Sequence, residues 1–251
     1  MSDEESAAEK EHDPSQKRLD DAREKGEIAR SADLSTAASY AGLLLAAVAF
    51  GPNALQGAGE AAAVLLGQAD HLSVIFLSGG TAPLAGVLVT FAATLAPFFL
   101  LPALAVVLVV LAQRAMIFTP SKLAPKLNRI SILSGIKNKF GRKGLFEFAK
   151  SFVKLVLISI LLGSFLMLRA PKIMATLYLS PALATIVLLE QVVGFLLLIV
   201  LIAAVIGGVD YFWQRAEHIR SNRMSRKEMM DEHKNSEGDP HMKAKRRQKG
   251  Y

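Results

Sequence analysis

Lys150, Lys154 and Glu190 are ionisable side chains set at the edge of, or inside, long apolar runs of this 251-residue sequence, and they delimit the chemistry open to it. Lys150 and Lys154 stand four apart, so a helix would carry both on one face. Glu190, with Gln191 beside it, falls in the first half of the run LATIVLLEQVVGFLLLIVLIAAVIGGV. A charged group there has three options: to snorkel to water, to pair with an opposite charge on a neighbouring helix, or to line an ion path. Snorkelling is the first reading of the two lysines, with pairing to acidic groups on a neighbour as the alternative. Glu190 is read as lying near the interface, or as a pairing or gating carboxylate.

Nothing else in the sequence adds a catalytic constellation. No GxxxxGK[ST], GxGxxG, HExxH or GxSxG pattern occurs, which removes support for phosphate cradles, zincins and nucleophile elbows. His218, His233 and His241 share a segment with carboxylates, but their spacings of 15 and 8 fit no usual ligand pattern. With no cysteine, thiolate chemistry and disulfides are excluded. The reading is of a non-enzyme with no catalytic residues, no cofactor and no metal.

The elements that must hold these charges are membrane helices. The chain is 52% hydrophobic, its mean hydropathy is +0.35, and the apolar residues gather in blocks with the charge crowded between them. Four blocks approach or exceed the roughly 20 residues that cross a hydrocarbon core. They run from 34 to about 55, from about 84 to 111, from about 152 to 168 and from about 182 to 209. No short apolar stretch with a small-residue cleavage site precedes the first of them, so that span is expected to remain as an anchor. Pro97 and Pro102 sit five apart in the second block, where each removes a backbone donor, and a broken or kinked helix is expected. The Gly- and Ala-rich stretch that follows the first block carries AAAVLLG and LSVIFL, read as a helix lying at, or packed just above, the outer membrane surface.

Lys and Arg set the orientation. Residues 1–33 hold six, 51–84 none, 112–149 eight, 169–181 two and 210–251 eleven. Basic segments stay cytoplasmic, so both termini and the middle segment are expected inside. The basic tail is then an anchor and lipid contact rather than a nucleic-acid binder. The resulting fold class is an all-α membrane protein. Its parts are a charged cytoplasmic helix over 1–33, a first transmembrane hairpin over 34–111 with a periplasmic segment at about 56–84, a cytoplasmic loop over 112–149, a second hairpin over 150–209 and a cytoplasmic linker helix over 210–251. The middle loop is unusual. Leu123, Leu127, Ile130, Ile132, Leu133, Ile136 and Phe140 are too apolar for a free linker, so it is expected to lie on the membrane or to clamp partner proteins.

Three separate blocks closely resemble the FlhB family (FlhB/YscU/SctU-like) of type III secretion export-apparatus proteins. The first is the N-terminal signature Lys17-Arg18-Leu19 with Ala22-Arg23-Glu24-Lys25-Gly26-Glu27-Ile28-Ala29-Arg30-Ser31. The second is in the middle loop, at Lys122, Pro125-Lys126-Leu127, Arg129, Gly135, Lys137, Phe140, Phe146, Lys150 and Lys154. The third is in the tail, at Asp210-Tyr211, Gln214-Arg215, Met224-Ser225, Glu228, Asp231-Glu232, Lys234 and Glu237-Gly238-Asp239-Pro240.

The resemblance implies a multi-pass subunit of the flagellar export gate, in the bacterial inner membrane at the flagellar basal body. Its two hairpins would wrap a pore complex of FliP, FliQ and FliR, and its middle loop would restrain the pore entrance. It would work with FlhA, the cytoplasmic export ATPase complex and exported flagellar substrates. On that reading Leu123, Pro125, Leu127, Arg129, Ile132, Ile136, Phe140, Lys150, Lys154 and Glu190 are the candidate partner or gate contacts. Family members normally continue into a self-cleaving domain with an Asn-Pro-Thr-His motif that switches export specificity. That motif is not in these 251 residues, so the chain is expected to be a piece ending before that domain. The alternatives are a virulence injectisome homologue and, from another class, a small-solute secondary transporter.

Overall fold

A computed structural model describes residues 12–78, 82–117 and 142–237. Among them are seven α-helices, one short 3-10 turn and no strand. The helices are α1 (Gln16–Glu24), α2 (Ala32–Gly67), α3 (Ala69–Leu77), α4 (Ala82–Ala112), α5 (Arg142–Ala175), α6 (Pro181–Ser221) and α7 (Arg226–Glu237). Four of them, α2, α4, α5 and α6, are long and apolar enough to cross a membrane, so the all-α, four-span architecture stands.

Counting described residues, the chain forms two compact units. The apolar unit takes residues 31–114 and 142–210, and the charged unit takes residues 12–30, 115–117 and 211–237.

In the apolar unit α2 packs on α4 more extensively than any other described helix pair. The sequence makes this possible with small residues: Ser35, Ala37, Gly42, Ala46, Ala54 and Ala61 are the buried residues of α2, and Ser35, Gly42 and Ala46 share one face. With little hydrophobic drive between helices in lipid, close backbone approach supplies the attraction through dispersion, and small side chains permit it. At Gly42 a Cβ would fall 2.6 Å from Pro102 Cα, and at Gly57 it would fall 3.2 Å from Thr94 Oγ1. Of the break or kink expected at Pro97 and Pro102, the break does not occur; α4 is helical from Ala82 through Ala112. The carbonyl groups of Ala93 and Phe98 lose their i+4 donors. Contact with α2 along this stretch holds the helix together, as neighbouring helices do for interior prolines in membranes. AAAVLLG forms the last turns of α2, and LSVIFL lies in α3.

The second pair, α5 and α6, is antiparallel. Lys150 meets Asp210, Phe165 meets Phe195 with ring centroids 5.1 Å apart, and Lys172 meets Glu190, so each step forward along α5 matches a step backward along α6.

The charged unit is built by caps. Ser15 caps α1 by accepting from Arg18 N at 3.1 Å, and its hydroxyl donates to Glu232 at 2.7 Å. His12 and Met224 exchange backbone hydrogen bonds of 3.1 and 3.0 Å. Ser225 and Glu228 form a reciprocal capping box at the start of α7, with bonds of 3.0 and 3.2 Å.

Candidate functional site: a charge cluster joining four helices

The cluster starts from a capping residue. Ser31 ends the approach to α2 in extended conformation, and its Oγ accepts from Leu34 N at 3.0 Å. Its own hydroxyl proton has two acceptors in reach, Asp210 Oδ2 at 2.5 Å and the Gly207 carbonyl at 3.4 Å. A single proton cannot serve both well, and the short charge-assisted bond to the carboxylate takes it. The Ser31 N–H donates to Gln113 Oε1 at 2.8 Å. Gln113 is presented there by Arg114, whose φ of 51° lies in the left-handed region and ends α4. For a non-glycine residue that conformation costs about 1–2 kcal/mol.

Around this hub the charges interlock. Lys150 Nζ lies 2.7 Å from Asp210 Oδ1, 2.8 Å from Asp33 Oδ2 and 2.7 Å from Glu147 Oε2. An ammonium has three donors and no acceptor, so three carboxylates use its full capacity. Lys154 pairs with the other oxygen of Asp33. Asp33 is in the first turn of α2, where the helix dipole favours an anion. Only 1% of the Asp210 side chain and 12% of the Lys150 side chain are exposed, so this pairing is shielded from water. The backbone closes in as well: a Cβ on Gly207 would sit 2.7 Å from Leu34 Cα. The start of α2, the end of α4, the first third of α5 and the distal half of α6 are thus tied together by side chains.

The chemistry available here is fastening. The cluster has acids paired to lysines and a serine bonded to an aspartate; the Ser31 hydroxyl is spent on Asp210 and on capping α2, and the Asp210 carboxylate is held by Lys150. No group of three or more His, Asp or Glu that could hold a metal occurs among the described residues.

Of the residues singled out in the sequence, Lys150 and Lys154 belong to this cluster, and they pair rather than snorkel. Glu190 does not join it. It bonds Lys172 at 3.2 Å, with side chains 60% and 45% exposed. Twenty residues of α6 separate Glu190 from Asp210, about 30 Å of helix and about the thickness of a hydrocarbon core. The two ion pairs therefore mark opposite edges of one apolar slab. Leu123, Pro125, Leu127, Arg129, Ile132, Ile136 and Phe140 lie outside the described residues, as do Gly238, Asp239 and Pro240. The signature residues Lys17, Arg18, Ala22 and Lys25 belong to the charged unit. There they line an open groove of about 570 Å³ with Asn222, Met224, Glu228, Asp231 and Glu232. Arg18 reaches Glu228 at 3.4 Å. Arg23 and Gly26 make the α1 C-cap: Gly26 has φ of 74°, Gly26 N donates to Arg23 O at 2.8 Å and Glu27 N to Ala22 O at 2.8 Å. This is a complete Schellman motif, and it accounts for the spacing of Ala22-Arg23-Glu24-Lys25-Gly26. Sequence reasoning missed Asp33, Gln113 and Glu147. Asp33 could have been found as a carboxylate opening the first apolar run, at the same end as Lys150.

The family described as FlhB HrpN YscU SpaS matches residues 8–251. The chain is 34% identical over 253 residues to the flagellar biosynthetic protein FlhB of Salmonella typhimurium, covering 98% of this chain and 64% of that one. It is 27% identical over 258 residues to FlhB of Bacillus subtilis, covering 97% and 67%. To the hypersensitivity response secretion protein HrcU of Ralstonia nicotianae it is 31% identical over 257 residues, covering 95% and 66%. The chain thus spans just under two thirds of the length of the Salmonella relative. No solved structure matches the chain.

Proposed function

The chain belongs to the FlhB/HrpN/YscU/SpaS family of type III secretion export-apparatus proteins, and from that premise we propose that it is a subunit of the flagellar export gate in the bacterial inner membrane. On this reading its two helix pairs pack on a pore complex of FliP, FliQ and FliR, with both termini and the 112–149 segment on the cytoplasmic side. That segment, with Leu123, Pro125, Leu127, Arg129, Ile132, Ile136 and Phe140, restrains the pore entrance. FlhA, the export ATPase complex and flagellar substrates meet it there.

The observation that carries the proposal is the unbroken family match from the N-terminal signature through both helix pairs to the tail. The charge cluster supports a mechanical role. It ties the ends of both helix pairs together, so a pull on the segment between α4 and α5 would be transmitted to all four helices. The similarity to HrcU favours a second reading, an injectisome subunit.

Native mass spectrometry of the tagged chain, extracted gently from its own membranes, tests the proposal. One copy held with several copies of FliP, FliQ and FliR is expected, and deletion of Thr119–Lys143 should weaken that association. Recovery with injectisome subunits instead selects the second reading. A chain that runs alone or as a homodimer counts against both, and solute flux in vesicles would then test the small-solute transporter.

A further inference from the structure

We propose that the groove of the charged unit, lined by α1, α7 and the Ser221–Met224 turn, is the docking site of this chain's own basic segment, Lys243 to Lys249. That segment folds back along α7 and closes the groove to other cationic peptides. The docking is built within the charged unit and is independent of the proposed export role.

The groove has a buried floor and a charged rim. Ala22, Asn222 and Met224 line it and are buried, while Lys17, Asp21, Lys25, Glu27 and Asp231 line it and are exposed. On α7, Glu228, Asp231 and Glu232 stand at i, i+3 and i+4, so one helix face brings three carboxylates to the groove. With Asp21 and Glu27 the lining holds five carboxylates against three cations, and one of those cations, Arg18, is already spent on Glu228. The groove is short of positive charge.

The floor is also short of a donor. Asn222 is only 8% exposed. Its amide nitrogen donates to the His218 carbonyl at 2.8 Å, and since a carbonyl only accepts, this fixes which end of the amide is oxygen. That oxygen accepts from no group among the described residues, and a buried acceptor without a donor is costly. A lysine or arginine N–H satisfies it; an acidic or apolar occupant does not. A bare metal ion fits poorly, because the groove of about 570 Å³ is far larger than an ion and Lys17 and Lys25 share its lining.

Charge and reach select the occupant. Lys243, Lys245, Arg246, Arg247 and Lys249 put five cations into seven residues, with no Asp or Glu after Asp239. They lie outside the described residues. From Glu237, the last residue of α7, Glu228 is nine residues back, about 14 Å along the helix. The eight residues from Glu237 to Lys245 can span up to about 26 Å, so the tether covers the whole acidic face. The turn signal Gly238-Asp239-Pro240 sits where the chain must reverse. A short tether gives a segment an effective concentration in the millimolar range, which lets ion pairs that are individually weak at a surface add up to occupancy.

The test uses the full chain in detergent micelles. It has no cysteine, so Ser221→Cys in the groove lining and Gln248→Cys in the basic segment make a clean pair, and neither change removes a charge. Mild oxidation is followed by counting free thiols with maleimide-polyethylene glycol. Expected is rapid loss of both thiols within a monomer. Asp21→Lys with Asp231→Lys should slow it about tenfold or more. Arg246→Glu with Arg247→Glu, which leaves α1 and α7 untouched, should do the same. Combining all four changes should restore the rate, and about 1 M salt should slow the original pair. A rate indifferent to salt and to both charge reversals overturns the proposal, because tether collisions alone would produce it. So does a disulfide-linked dimer, which makes the occupant a second copy. So does a pair that stays reduced in micelles while the thiol at position 221 is shielded from maleimide in native membranes, which gives the groove to a cationic segment of another protein.

Discussion

Lys150 and Asp210, on two different helices of the apolar unit, meet at 2.7 Å with only 1% of the aspartate side chain exposed. The same ammonium reaches Asp33 on α2 at 2.8 Å, so one cation joins three helices. A buried ion pair adds little net stability compared with a well-packed apolar pair, but removing one member strands the other in a low dielectric. The pair is thus a sensitive point that a single substitution can open.

Lys150→Met is therefore expected to destabilise the apolar unit by about 3–5 kcal/mol, because Asp210 and Asp33 lose their shared counter-ion. Lys150→Met combined with Asp210→Asn should cost clearly less than the sum of the two single changes, as coupled sites do. Thermal unfolding in a mild detergent reads this out. Additive losses in the double variant would show that the two side chains do not depend on each other.

Close helix approach gives a second prediction. At Gly42 and Gly207 a methyl group would meet backbone atoms at 2.6 and 2.7 Å, and backbone cannot rotate away as a side chain can. At Gly51 it would meet nothing within 4 Å. Gly42→Ala and Gly207→Ala should lower the unfolding temperature. Gly51→Ala should raise stability by about 0.5–1 kcal/mol through the helix preference of alanine. Three variants with the same sign of effect would refute the contact geometry.

The four long helices are legible in the sequence because hydropathy and length are properties of each segment alone. Lys150 and Lys154 stand out for the same reason, as charges at the edge of an apolar block. Their partners do not. Asp33, Asp210 and Glu147 are separated from Lys150 by anything from three residues to more than a hundred, and only folding brings the two distant aspartates to it. The persistence of α4 through Pro97 and Pro102 is hidden likewise, since proline chemistry is local while the α2 stripe of Ser35, Gly42 and Ala46 that braces α4 is not. The Schellman motif at Gly26 is entirely local, and its residues stand out in the sequence without their reason being visible.

That motif makes its own prediction. Gly26 has φ of 74°, a conformation that costs an L-residue with a Cβ about 1–2 kcal/mol. Gly26→Ala should fray the last turn of α1, and hydrogen exchange at the Gly26 and Glu27 amides, which donate to Arg23 and Ala22, should speed up. Gly26→Asn should do less harm, because asparagine tolerates this region better. Unchanged exchange in Gly26→Ala would mean that the turn does not depend on glycine.

The ion pair at the opposite edge of the slab should behave unlike the cluster. Lys172 and Glu190 lie 3.2 Å apart with about half of each side chain exposed, and exposed pairs contribute about 0–1 kcal/mol. Glu190→Gln is thus expected to be nearly neutral in unfolding temperature, against the large loss for Lys150→Met. Glu190→Lys, which sets two like charges side by side, should cost somewhat more, and the swap Lys172→Glu with Glu190→Lys should recover most of that loss. A Glu190→Gln variant as damaged as Lys150→Met would show that the carboxylate is buried in the assembled protein and has a partner beyond Lys172. That result would return Glu190 to the list of gating candidates on physical grounds. A neutral result would leave it as a marker of where the hydrocarbon ends.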